Sequence, residues 1–259
     1  MRLHQTLTAC IALCVTLSIE AHEFWIEPSS HQGTPGTTVD LLLKVGERFK
    51  GSAQPYLPAD FERFERITEA GIEPIEGLLG DVRPAARVRL GEGLTHIIHH
   101  TVPFDITFAE GDSRWPDYVA LDGLQAQLDA HPDIPQVTPV TERYVRSAKS
   151  ILTTQADVKD RLTGRLPFEW VLESALSVGT ATVTLYEGET PLPGILVKAF
   201  RQSDREVTDH AVTDTEGRAQ LRLPSADRYL ISGVVIRPDS HPNFDWISFW
   251  PSLTLEVSE

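Results

Sequence analysis

The sequence contains very little sulfur. Its two cysteines, Cys10 and Cys14, and its only methionine, Met1, all lie near the N-terminus. If that region is removed as a leader, the remaining chain has no thiol and no thioether. Disulfides, thiolate zinc sites, iron–sulfur clusters, cysteine nucleophiles and thioether capture of Cu(I) are then excluded. Any metal site must use nitrogen and oxygen ligands, which favours Ni(II), Co(II), Cu(II) or Zn(II).

Long apolar runs are also scarce. The run over residues 7–19 follows Arg2 and is too short to span a bilayer. It predicts a signal peptide over residues 1–21, cleaved after Ala21. No later segment of the sequence is apolar enough to span a membrane. We therefore expect a periplasmic protein that has no stable membrane insertion after cleavage.

Basic residues are outnumbered by acidic ones. The chain has 23 Lys and Arg against 37 Asp and Glu, which gives a formal net charge of −14. A field of that sign repels nucleic acid and anionic membrane surfaces and attracts cations. A nucleic-acid partner is therefore not expected. The charge also serves to keep an exported protein in solution, which is its commoner role.

What the sequence does contain is short strands separated by turns. Five segments of the first half have the mixed apolar, β-branched and polar pattern of β-sandwich strands. They are residues 39–45, 87–90, 95–108 (with a break at Pro103), 144–154 and 167–173. From residue 180 onward, alternating strands recur about every ten residues, which is typical of immunoglobulin-like or transthyretin-like sandwiches. The pattern predicts an all-β protein with an N-terminal β-sandwich domain over residues 22–177 and a second sandwich over 178–259.

One amphipathic helix is predicted in the first domain, near residues 115–130. Asp112 or Ser113 can cap it, Pro116 lies in its first turn and Pro132 ends it. Four apolar side chains at helical spacing predict a single face that packs against a sheet edge. They are Tyr118, Leu121, Leu124 and Leu128.

Several segments resemble the domain-of-unknown-function 4198 family. The segments are AHEFWIEPSS, VGERFKG, ERYVRSAKSIL, GRLPFEW, PLPGILVKAF, TDTEGRAQL and DWISFWPSLTLEV. Members of this family are exported from Gram-negative bacteria and are often described as periplasmic components of an ABC-type cobalt or nickel transport system. The resemblance implies a β-sandwich with a carboxypeptidase-regulatory-like second domain, and an ABC- or ECF-type metal transporter as a partner.

The chain departs from the family at one position. Many relatives carry a histidine where this sequence has Val235, in the penultimate strand. If that histidine is a metal ligand in the relatives, this chain has lost or replaced it. His241 in the following loop is the obvious substitute.

Cleavage after Ala21 would make His22 the first residue of the mature chain. A terminal histidine carries a free amine and an imidazole, which together can chelate a divalent cation. The α-amine titrates near pH 8, so a metal ion can displace its proton at neutral pH. With one further imidazole the site would be a histidine brace, a geometry suited to Cu(II). The alternative is that His22 only marks where cleavage falls before a first strand.

The second imidazole has several candidates. His96, His99 and His100 lie on one predicted strand, where His96 and His100 share a face roughly 13 Å apart and His99 points the other way. No pair of them can chelate one ion, although a single member could partner His22. His241 is the other candidate ligand, with Asp245 as an oxygen donor or as a turn-forming residue. No ligand role is expected for His31, His131 or His210.

No motif for catalysis is present. A serine nucleophile elbow, a phosphate loop and an H-E-x-x-H signature are all missing. We therefore expect a non-enzymatic exported protein that binds a divalent transition metal through His22 and assists its uptake or delivery. Two alternatives remain. One is a metal-free module that docks an envelope partner through the C-terminal sandwich, and the other is an oxidase built on a copper brace, similar to the polysaccharide monooxygenases.

Overall fold

The computed structural model describes residues 22–155, 160 and 166–259. The predicted signal peptide, its cleavage site and both cysteines lie outside the described residues. The described part of the chain consists mostly of strands, so the predicted all-β sandwich fold is confirmed. Within these residues no helix is long and apolar enough to cross a membrane.

The strands of the N-terminal half are β1 (Glu23–Pro28), β2 (Thr38–Glu47), β3 (Lys50–Gln54), β4 (Phe61–Thr68), β5 (Gly71–Pro74), β6 (Ala86–Arg89), β7 (Leu94–Thr101), β8 (Phe104–Phe108) and β9 (Val140–Thr153). Those of the C-terminal half are β10 (Phe168–Leu172), β11 (Gly179–Glu187), β12 (Thr190–Pro191), β13 (Leu196–Arg201), β14 (Val207–Val212), β15 (Arg218–Leu223), β16 (Asp227–Gly233), β17 (Val235–Pro238) and β18 (Trp246–Val257).

A large sheet runs through both halves of the chain. Among the described strands, ten belong to it, with β14-β13-β16-β18-β9-β7-β4-β5 as its main path. Strand β17 extends the pairing of β18, and β8 extends that of β9. The two central strands, β9 and β18, come from different halves and run parallel to each other. Most of β9 is buried, as expected for a strand covered on both faces.

A four-stranded sheet covers each face of this middle sheet. Strands β1, β2, β3 and β6 form one, and β10, β11, β12 and β15 form the other. The alternation along β18 shows the two faces. Leu253 and Leu255 lie in the core shared with the C-terminal sheet, whereas Ser252 and Thr254 contact β1. The result is a three-layer β-sandwich.

The predicted helix is interrupted. Two short helices, α1 (Arg114–Leu121) and α2 (Gln125–Asp129), replace the single one expected near residues 115–130. Gly123 separates them with a φ of 63°, a left-handed conformation that glycine adopts without strain. The break rotates the apolar face, so Leu124 and Leu128 are buried while Leu121 is 60% exposed. The expectation of one continuous apolar face that includes Leu121 is wrong.

Most predicted strands form, including the break at Pro103, which falls between β7 and β8. The segment expected to close the first domain is β10, and it pairs with β11 of the C-terminal half. Trp170 on this strand is fully buried in the C-terminal core, and its Nε1 donates to the carbonyl of Pro251 at 3.1 Å. Strand β10 is therefore an edge strand of the C-terminal sheet, and it is buried along its whole length.

Candidate functional site

A cavity of about 550 Å³ lies beside His22, the residue just before β1. Its walls come from the start of β1, the β2–β3 turn, helix α1 and strands β13 and β14. The apolar lining includes Phe108, Leu196, Phe200 and Trp250, and the polar lining includes His22, Glu23, Glu47, Asp122, Lys198 and His210. On its other side His22 borders a more open groove of about 650 Å³. His22 is therefore accessible from solvent while it faces a shaped interior.

The β2–β3 hairpin brings Glu47 to His22. Its two-residue turn consists of Arg48 and Phe49, with φ values of 50° and 60°, which is the backbone of a tight primed turn. Neither residue is glycine, so the turn carries strain that packing must compensate. Phe49 is buried edge-on against Trp25, with ring centroids 5.5 Å apart. The hairpin is thereby held so that Glu47 Oε1 lies 3.5 Å from Nδ1 of His22.

The ring nitrogen of His22 that faces Glu47 is the one that a metal chelate would use. A chelate formed by the α-amine and the imidazole of one histidine uses Nδ1, the nearer ring nitrogen. Nδ1 is also the atom next to the Glu47 carboxylate. The α-nitrogen of His22 is a peptide nitrogen in the full chain, and it becomes an amine only if the predicted leader is removed. Among the described residues, no group of three or more His, Cys, Asp or Glu side chains is already arranged to hold a metal ion.

Charged side chains of both signs line the cavity next to His22: Glu23, Glu47, Asp117 and Asp122, with Arg48, Arg114 and Lys198. Burial is the main reason that the pKa of Glu23 rises to about 7; Asp122 adds to this effect and Lys198 opposes it. Burial also raises the pKa of Asp122, again against Lys198. Lys198 Nζ donates to Asp122 Oδ1 at 2.6 Å and to the carbonyl of Leu121 at 3.3 Å. A cation entering here would relieve the repulsion among these acids.

A second buried carboxyl lies beneath the cavity. Glu142 Oε1 accepts hydrogen bonds from Ser248 and, at 3.2 Å, from the hydroxyl of Tyr118. Burial raises the pKa of Glu142 to about 7, although these hydrogen bonds lower it. Trp250 Nε1 donates to Ser248 Oγ at 2.9 Å, and its ring stacks on Tyr118. Because Tyr118 and Trp250 line the cavity, this network fixes part of its wall.

His210 is the second histidine at this cavity. It is paired with Lys198 in the β13–β14 register, so the two side chains are on the same face of the sheet. The sequence alone assigns no ligand role to His210, and it gives no site prediction for Glu23, Asp122 or Lys198. The alternation of polar residues on the β13–β14 hairpin is the signal that could have indicated His210 and Lys198 together.

The three histidines of β7 do not line the cavity. As predicted, the register places His99 on the face opposite to His96 and His100. His99 lies among Phe24, Phe61 and Phe64, and burial lowers its pKa to about 3. Such a ring is neutral and enclosed by aromatic side chains.

The other two members of that cluster have structural contacts. His96 is fully buried, with Nε2 3.2 Å from Asp160 Oδ1. His100 Nδ1 lies 2.9 Å from Ser147 Oγ, and its Nε2 lies 3.9 Å from Glu62. The structure therefore brings neither of them to His22.

His241 and Asp245 lie in the loop between β17 and β18 and do not line the cavity either. His241 is exposed and rests against Phe244, and its Nδ1 accepts from the backbone N–H of Asn243 at 3.3 Å. Asp245 Oδ2 accepts two hydrogen bonds from Thr141, both at 2.7 Å. Asp245 thus anchors the loop to β9 through Thr141, a contact that neither its ligand role nor its turn-forming role predicts.

The position of Val235 shows whether a histidine there, as in many relatives, could reach the cavity beside His22. Val235 is buried in the core between the middle sheet and the C-terminal sheet. Its neighbours Val234 and Ile236 lie in the cluster that contains Tyr118 and Trp250. A side chain at position 235 therefore points away from the cavity beside His22. The valine does not remove a ligand from that cavity.

The fold and the site define a three-layer β-sandwich protein with a carboxylate-lined cavity beside its first described strand. The chain belongs to the family described as "Domain of unknown function (DUF4198)", whose sequence model matches residues 19–236. The predicted family is thereby confirmed. No curated protein matches the sequence. Among solved structures, native alpha-2-macroglobulin from Escherichia coli, spanning domains MG0-NIE-MG1, is 12% identical with a TM-score of 0.23, over 92% of this chain and 98% of that one.

Proposed function

We propose that this protein is an exported, periplasmic metal-binding protein that holds a divalent transition metal ion at His22 and assists its uptake or delivery. Ni(II), Co(II), Cu(II) and Zn(II) are the metals that its donor set suits. The observation that carries the proposal is the contact between His22 Nδ1 and Glu47 Oε1 at 3.5 Å. The chelating nitrogen of a processed N-terminus would already face an oxygen donor.

The chemistry of the surrounding donors supports this assignment. After cleavage, the amine and Nδ1 of His22 would supply two nitrogens, and Glu47 would supply an oxygen. His210 is the second imidazole at the cavity, in place of the candidates on β7 and in the β17–β18 loop. A mature chain without sulfur offers only nitrogen and oxygen donors, which suit borderline divalent ions. The net charge of −14 favours the approach of cations.

The buried acids would couple binding to pH. Glu23 has a pKa of about 7, so it is partly protonated at neutral pH. A dication beside it would favour its ionised form, because opposite charges stabilise each other in a desolvated site. Metal binding would then release protons from Glu23 and from the amine of His22. A metal transporter is the partner that this proposal implies.

Titration calorimetry with Cu(II) and Ni(II) tests the terminal-amine mechanism. Two purified chains are compared, one starting at His22 with a free α-amine and one starting at His22 with that amine acetylated. Acetylation removes the amine as a ligand, so we expect the affinity of the acetylated chain to be at least about tenfold lower. Equal affinities would refute the mechanism. Failure of both chains to bind would favour the metal-free docking module.

Side-chain variants test the ligand set. Glu47→Gln and His210→Ala should each weaken binding, whereas His241→Ala is the matched control because that exposed histidine does not line the cavity. Loss of binding in His241→Ala with retention in His210→Ala would reverse the assignment of the second imidazole.

A further inference from the structure

A lysine and two carboxylates meet in the interior, away from the cavity beside His22. Lys149 Nζ lies 2.5 Å from Asp160 Oδ2 and 2.9 Å from Glu169 Oε1. The side chains are 1%, 0% and 0% exposed respectively. The cluster is independent of the proposed metal site. Burial of three ionisable groups is costly unless their contacts or a reaction among them compensate it.

The three residues come from different parts of the fold. Lys149 lies on β9 of the middle sheet, and Glu169 lies on β10 of the C-terminal sheet. Asp160 belongs to the connection between these strands. On the neighbouring strand β7, Ile98 is the register partner of Lys149. Ile98 packs in one cluster with Ile67 and Leu166. This apolar cluster lies beside the three ionisable side chains, which are shielded from solvent.

Each carboxylate is oriented by further contacts. Asp160 Oδ2 also accepts from the backbone N–H of Leu172 at 3.3 Å, and Asp160 Oδ1 lies 3.2 Å from His96 Nε2. Glu169 Oε2 accepts from the backbone N–H of Leu166 at 3.2 Å. Asp160 therefore presents one oxygen to the amine and the other to an imidazole. Glu169 remains close to the amine on its other side.

The protons in the cluster can be redistributed without changing its total charge. Burial alone lowers the pKa of Lys149, but the two carboxylates overcome this and raise it. Loss of a proton to solvent is thus not the route to a nucleophilic amine. Transfer of one proton from Nζ to Asp160 converts an ion pair into two neutral groups, a change that an apolar interior favours.

We propose that Lys149 and Asp160 become joined by an intramolecular amide bond, with Glu169 carrying the proton. The neutral Nζ attacks Cγ of the protonated Asp160, and His96 Nε2, when it carries the hydrogen, donates to the developing negative charge on Oδ1. Glu169 takes a proton from the attacking nitrogen and returns it to the departing Oδ2, which leaves as water. One N–C bond forms and one C–O bond breaks.

The atoms and charges of this step balance. The three protons of the lysine ammonium end as one amide N–H and two hydrogens on water. The negative charge remains on Glu169, whose carboxylate then accepts from the new N–H. No oxidant, reductant or cofactor is needed. The product replaces two buried charges with a neutral amide, which removes most of the desolvation cost.

Intact mass spectrometry of the denatured full-length protein tests the proposal. The wild-type chain should be lighter than its sequence requires by the mass of one water, about 18 Da. Lys149→Met, Asp160→Ala and Glu169→Gln should each have the full mass of their own sequences. Lys198→Met is the matched control, since it removes a second close Lys–Asp pair of the described residues, and it should retain the deficit. A wild-type chain with the full mass would overturn the proposal, and this measurement does not depend on whether any variant folds.

Tandem mass spectrometry after trypsin digestion locates the bond. Trypsin should not cleave after Lys149 in the wild type, and fragment ions should place the loss of water between Lys149 and Asp160. A loss of water confined to Asp160, as in a succinimide, or located elsewhere in the chain would also refute the cross-link. The bond should raise the melting temperature above that of Glu169→Gln, because it closes a loop in the unfolded state.

Discussion

Ser252 Oγ donates a hydrogen bond of 2.6 Å to the carbonyl of Phe24. The contact joins the last strand to the strand that follows His22, across 228 residues of sequence. Thr254 Oγ1 makes the equivalent bond to the carbonyl of Ile26 at 2.8 Å. All four residues are buried, so His22 is positioned by the C-terminal strand as well as by its own neighbours.

Ser252→Ala should destabilise the protein and loosen the start of β1. Removal of the hydroxyl deprives a buried carbonyl of a partner, which costs about 1–2 kcal/mol in free energy of unfolding. Urea unfolding measures this loss. Ser30→Ala is the control, because Ser30 is near the surface and bonds only locally, and it should change stability by less than about 0.5 kcal/mol. Equal losses would mean that the Ser252 bond does not anchor β1.

Glu23→Gln should flatten the pH dependence of stability between pH 5 and pH 8. The folded pKa of Glu23, about 7, is above its ordinary value of 4.5, so the folded state holds a proton that the unfolded state releases. Wild-type stability therefore decreases as pH rises through this window, by on the order of 2 kcal/mol from this group. Thermal unfolding at a series of pH values measures the difference between variant and wild type.

Glu142→Gln provides a matched comparison for Glu23→Gln. Its pKa is also raised to about 7 by burial, so it should flatten the same window. Only Glu23→Gln should change metal affinity, because Glu142 does not line the cavity. A change in affinity of similar size in both variants would contradict the assignment of Glu23 to the site.

His99→Phe should protect the protein against mild acid. The pKa of His99 is lowered to about 3, so the unfolded state takes up a proton below pH 6.5 that the folded state refuses. Between pH 7 and pH 5 the wild type should lose about 2 kcal/mol from this residue, and the variant should not. Chemical unfolding at the two pH values provides the measurement. Unchanged metal affinity in His99→Phe would show that His99 is not a ligand.

Gly123→Ala should disturb the junction of α1 and α2. The residue has a φ of 63°, and an added Cβ would lie 3.0 Å from Leu196 Cδ2. Strain and crowding together should cost about 2 kcal/mol. Gly111→Ala is the control: Gly111 has a φ of 74°, but an added Cβ there would have no atom within 4 Å. This variant therefore introduces backbone strain without crowding and should cost about 1 kcal/mol. If both variants lose the same stability, Leu196 must move without cost.

The fold could be predicted from the sequence where local pattern determines structure. The alternation of apolar and polar residues located most strands. The two-residue repeat of a strand also correctly predicted that His99 and His100 lie on opposite faces of β7. The interruption of the helix at Gly123 was missed because the apolar spacing continues through it. The parallel pairing of β9 with β18 could not be read either, since it joins segments about a hundred residues apart.

Of the residues at the candidate site, only His22 could be predicted from the sequence. His22 was identified from the predicted leader before it, which is a local signal in the sequence. Glu47 reaches it through the strained turn at Arg48 and Phe49, and His210 reaches the cavity through the β13–β14 register. These relations depend on which strands become neighbours. Clusters in the sequence, such as the β7 histidines, gave a stronger signal than the residues that surround His22 in space.

The central location of β18 constrains the order in which the protein can mature. Strand β18 lies between β9 and β16, so the middle sheet remains divided until residues 246–257 are available. A chain that is translocated or synthesised from its N-terminus must therefore keep β9 unpaired on one side while most of its length emerges. That open strand edge is a site for mispairing and aggregation. We expect chaperones to be needed during this interval, and deletion of the last strand should yield insoluble protein.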